Sequence, residues 1–74
     1  MSVKLMKAMK NARKVNEELW LQYNAKSIEC YKNDDRVGRD YWNERAYQMI
    51  CVNELIDMDI RKLKEEAKGD KQNA

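Results

Sequence analysis

A chain of 74 residues, 38% of them charged, makes one small domain whose core alone rarely leaves more than ~3–5 kcal/mol of stability. Disulfides, a metal or another chain usually complete such a fold. Two cysteines and no histidine exclude a disulfide-dense scaffold and a zinc site, and no proline with only two glycines excludes an all-β fold of many short strands. The formal net charge of +2 is small, but its distribution is uneven.

In chain order, Ser2 is a candidate N-cap for a first helix over about 3–32. Lysines at 4, 7 and 10 interrupt every short apolar stretch there, so the segment does not read as a secretory signal. The one internal cluster of turn-type residues, Asn33 to Gly38, predicts a hinge over 33–38. A second helix follows over about 39–67, with Gly69 placed as its C-terminal glycine and 70–74 as a disordered tail. Helices of this length, roughly 45 Å at ~1.5 Å per residue, suit a coiled-coil hairpin. The fold expected is therefore all-α: an antiparallel two-helix hairpin, one domain over 1–69.

Both helices carry a 3.5-residue apolar repeat. In helix 1 it runs Leu5, Met9, Ala12, Asn16, Leu19, Tyr23, Lys26, Cys30, and in helix 2 Trp42, Ala46, Met49, Asn53, Ile56, Ile60, Leu63, Ala67. Closing the hinge sets Cys30 opposite Trp42, Lys26 opposite Ala46, Ala12 opposite Ile60 and Leu5 opposite Ala67. Asn16 and Asn53 then fall in adjacent layers, where a seam asparagine can fix register at a cost in stability. Cys30 and Cys51 stand too far apart along the axis for an intrachain bridge, and two free thiols fit a reducing cytoplasm.

Helix 2 is too apolar for a hairpin alone. Behind its seam lie Tyr47, Cys51, Leu55 and Met58, with Ile50 on the flank, and helix 1 adds Trp20, Leu21 and Ile28. Read in the same register these residues form one central patch. A helix that is apolar on several sides must be buried on several sides. The expected solution is a homodimer, two hairpins making a four-helix bundle, with a protein partner on the same surface as the other solution.

Residues 1–14 carry five positive charges and no negative one, residues 61–74 five and three, and residues 15–60 five and ten. A hairpin gathers the two basic termini at its open end. Lys4, Lys7, Lys10, Arg13 and Lys14 oppose the dipole of their own helix, so they are candidates for contact with an anion or nucleic acid, or a solvated surface. Clustered arginines and an aromatic platform are missing from that end, which argues against sequence-specific reading of bases.

No catalytic residue, metal ligand set or cofactor is assigned. Ser2 and Ser27 lack a neighbouring base, the cysteines lack a basic exposed setting, and no phosphate-binding loop occurs. No apolar run approaches the ~18 residues of a membrane span. The stretch from Trp20 through Ala25, Cys30-Tyr31, the Asp34–Gly38 turn, Tyr41-Trp42 and Ala46 resembles one helix–turn–helix unit of tetratricopeptide type. It lacks that unit's helix A glycine and closing proline, and a second copy, so it reads as general helical-hairpin chemistry. The function expected is a small non-enzymatic regulator or inhibitor that binds a protein stoichiometrically. By size and composition it is analogous to the inhibitors made by bacteriophages. The alternative is a nucleic-acid-associated protein using the basic end.

Overall fold

The computed structural model describes residues 2–73, with side-chain burial described for 3–69. Helix α1 spans Ser2–Lys32 and helix α2 Arg36–Asn73. They pack side by side along their length as an all-α hairpin whose Cα positions extend 61 × 15 × 11 Å. Gly69 lies inside α2 and no glycine has positive φ, so the helix continues through a residue expected to stop it. Residues 70–73 extend α2 instead of forming a disordered tail, and Ala74 lies outside the described residues. Nothing within 4 Å opposes a Cβ at Gly69, so its place in the helix has no packing requirement.

The connection is three residues, shorter than the six predicted, because one aspartate ends α1 and the next begins α2. Asp34 takes the left-handed conformation (φ 61°). Its N–H reaches the Tyr31 carbonyl at 3.2 Å, and the Asp35 N–H reaches the Cys30 carbonyl at 2.9 Å, the paired closure of a Schellman motif. Asp35 then caps α2: its Oδ1 accepts the Gly38 N–H at 2.9 Å, the N-cap to N3 bond. A Cβ at Gly38 would collide with the Asp35 carboxylate and lie 2.8 Å from Cys30 Sγ. Glycine there leaves room for the cap rather than ending a loop.

Starting α2 three residues early shifts the pairing by about three positions. Asn16 Nδ2 donates to Asn53 Oδ1 at 3.1 Å, so the two asparagines meet directly across the seam rather than diagonally. Asn53 Nδ2 also donates to the Arg13 carbonyl at 3.1 Å. Toward the hinge, Ser27 Oγ donates to Asn43 Oδ1 at 2.5 Å, and Tyr23 stacks on Trp42 with centroids 5.5 Å apart.

The helix 2 repeat from Trp42 to Leu63 does face α1, being half-buried or buried throughout. Ala67 is exposed, since the shift sets it level with the very start of α1. In α1 the seam is Met6, Met9, Arg13, Asn16, Trp20, Tyr23, Ser27 and Cys30, all at least half-buried. It shares four members with the expected ladder, but Leu5, Ala12 and Lys26 are exposed. Two interleaved repeats run along α1, one position apart, and the tight turn selects the more polar one. The interior is correspondingly thin: among the described residues Ala46 and Ile60 are the buried apolar ones and Ser27 the buried polar one.

Candidate protein-docking groove

Midway along the hairpin the seam opens on one side into a groove of about 410 Å³. Seam positions Trp20 and Met49 line it together with Leu21 and Ile50, one position further round each helix. Leu21 is 61% exposed, so apolar surface lies open to solvent.

Polar side chains edge the groove. Arg13 Nε donates to Asp57 Oδ1 at 2.7 Å across the helices, and Arg13 Nη1 donates to Glu17 Oε1 at 2.7 Å one turn along. The hydrogen bond to Asp57 is the main cause that raises the Arg13 pKa above its ordinary value, with both carboxylate charges adding to it. Glu54 and Asn53 complete the lining. Three carboxylates against one guanidinium make the rim acidic, suited to a partner that presents an apolar side chain beside a basic one.

The eight residues expected to form one central patch divide among several places. Trp20, Leu21 and Ile50 meet in the groove. Tyr47, Cys51, Leu55 and Met58, spaced four, four and three, form a stripe on the side of α2 turned from α1, where Tyr47 is 65% exposed. The neighbouring Cys51 thiol, one turn on, raises the Tyr47 pKa, with the Glu54 charge adding to it. Ile28 is exposed nearer the hinge. The faces of α2 separate them: Ile50 lines the groove with Leu21, whereas Cys51, one position further round, belongs to the side turned from α1. Met49, Asn53, Glu54 and Asp57 were not singled out for the groove. Their spacing along α2 was legible, but their position against α1 depends on the length of the turn.

Of the basic residues, Lys4, Lys7, Lys10 and Lys14 are exposed. Lys7 and Lys10 border a shallow depression with Val3, Met6 and Asn11. Arg13 is instead held in the seam by its two carboxylates. Lys26, expected inside the seam, lies over the Trp42 ring at 4.3 Å, and the Tyr41 ring meets Trp42 edge-on at 4.9 Å. Both cysteines are free thiols; burial and the nearby Asp35 charge push the Cys30 thiol pKa up. Among the described residues no helix is long and apolar enough to cross a membrane. No family model, curated protein or solved structure matches this chain.

Proposed function

We propose that the chain is a non-enzymatic binding protein, a regulator or inhibitor acting stoichiometrically on a protein partner, and that two hairpins assemble into a four-helix bundle to do so. The observation that carries this reading is surface area. The hairpin exposes 6246 Å², whereas a compact monomer of this mass exposes about 4,800 Å². The excess, roughly 1,400 Å², exceeds the ~800 Å² that each partner buries in a standard interface. Much of the uncovered surface is apolar, with Leu21, Tyr47, Ile50, Leu55 and Met58 among the exposed large side chains.

The groove is the place for the partner, because it combines exposed apolar walls with a fixed acidic rim. Capture from the native host, with nuclease treatment, tests this. Wild type should retain a protein that Leu21→Glu loses while remaining helical. Equal retention by both would refute the groove as the docking site.

The exposure of Lys4, Lys7, Lys10 and Lys14 supports a second reading, contact with nucleic acid at the open end. Phosphate contacts would give steeply salt-dependent binding, and changing all four lysines to glutamine would flatten that slope by up to about 3–4 units. Binding with no salt slope would exclude it.

A further inference from the structure

We infer that the second copy docks on α1, antiparallel to its counterpart, through the apolar repeat that the hairpin leaves unused. This rests on the self-association reading above and specifies its geometry. Leu5, Ala8, Ala12, Val15 and Leu19 step three, four, three, four, a regular 3.5-residue ladder beside the intrachain seam. Leu5 and Val15 are 52% and 53% exposed, both alanines are exposed, and Leu19 is half-buried. Two adjacent ladders on one helix describe a helix that packs against two neighbours, and α2 supplies only one.

The ladder fits its own copy. Turned antiparallel about a two-fold axis near Lys10, each Leu5 meets Val15 of the other copy and each Ala8 meets Ala12. The four apolar layers are large at their ends and small at their centre. Alanines in the middle let the helices approach toward the ~8 Å end of the usual interaxial range.

Charge selects this orientation. One flank of the ladder is closed by α2. The open flank carries Lys4, Asn11 and Glu18, all exposed. In the antiparallel register Lys4 meets Glu18 of the second copy, Asn11 meets Asn11, and Glu18 meets Lys4, two ion pairs per dimer. A parallel pairing would set Lys4 beside Met9 and Glu18 beside Tyr23, with no ion pair. Lys7, Lys10 and Lys14 lie on the other side of α1 and keep clear of the contact. The groove at Trp20 and Leu21 opens on the opposite flank and stays free for a partner.

Charge reversal tests the pairing. Sedimentation equilibrium over a concentration series should show wild type as a dimer. Lys4→Glu and Glu18→Lys should each raise the dimer dissociation constant roughly tenfold, since both symmetry-related pairs become repulsive. The double variant Lys4→Glu/Glu18→Lys should return it to near the wild-type value. Circular dichroism checks that each variant is folded. A dimer indifferent to both reversals but broken by Leu21→Glu would overturn this geometry and leave self-association standing. A wild-type monomer at every concentration would overturn both.

Discussion

The Asn16–Asn53 pair permits a quantitative test of what holds the seam together. Asn53→Leu removes the bond from Asn16 Nδ2 and the bond to the Arg13 carbonyl, each 3.1 Å. It leaves the Asn16 amide without its partner in a half-buried layer, a cost of about 1–2 kcal/mol. Half-burying the new leucine returns about 1 kcal/mol, so the single change should be neutral to destabilising by about 1 kcal/mol. Asn16→Leu behaves alike, stranding Asn53 Oδ1. Replacing both removes the stranded amides and lets two leucines meet across the seam, which should stabilise by about 1–2 kcal/mol, or ~4–8 °C per kcal/mol for a domain of this size. The cycle therefore carries a coupling of about 1–4 kcal/mol, read from urea denaturation at one fixed protein concentration. Singles that sum to the double within ~0.5 kcal/mol would show that the asparagines do not act as a pair. A sizing column adds a second readout. If the pair fixes register, the double variant gives mixed oligomers; one unchanged species means that the pair contributes no specificity.

Asp34 is the one described non-glycine residue at positive φ, so Asp34→Gly should stabilise by about 0.5–1 kcal/mol in thermal denaturation. Gly38→Ala should destabilise despite better helix propensity, because the methyl displaces the Asp35 cap; an unchanged melting temperature would refute the capping role. The raised Cys30 pKa means less thiolate at a given pH, so iodoacetamide should label Cys30 along a profile displaced to higher pH than a free thiol's. Asp35→Asn should move that profile back down, and an identical profile would exclude the aspartate as a cause. If assembly supplies the missing burial, each tenfold rise in protein concentration should raise the melting temperature by about 3–6 °C, and a flat dependence would refute assembly.

The hairpin itself was legible in the residues: the lack of proline, two 3.5-residue repeats and one cluster of turn residues specify two packed helices. The α2 ladder from Trp42 to Leu63 could be read because it is the strongest apolar repeat in that helix. The α1 seam could not, because Leu5, Ala12 and Leu19 compete with Met6, Arg13 and Trp20 on adjacent stripes, and composition favours the former. Arg13 and Ser27 were poor candidates for the interior until Asp57 and Asn43 came opposite them. The decision lies in the turn, where Asp34 and Asp35 do in two residues what a looser hinge does in six. A change of three residues there rotates nothing in α2, yet alters which residue meets which along the whole hairpin. The groove depends on that pairing, so its walls were visible as apolar residues but not as one site.

The two repeats of α1 also show what the proposed assembly would contribute. The stripe turned toward α2 contains Arg13, Asn16 and Ser27, while the stripe turned to solvent contains Leu5, Ala8, Ala12, Val15 and Leu19. The intrachain seam is thus the more polar of the two. A polar seam specifies register through directional bonds, each with a modest net contribution of about 0.5–1.5 kcal/mol. An apolar seam contributes through area removed from water, at about 25 cal/mol per Å², but specifies register weakly. The intrachain seam and the turn therefore fix which residues meet, and the uncovered ladder supplies apolar area that the proposed second copy would bury. Lys4 and Glu18 beside that ladder would provide the orientation that apolar contact alone leaves open. In the proposed dimer, register is set within the chain and stability is completed between chains, which leaves the acidic groove on the opposite flank free for a partner of different chemistry.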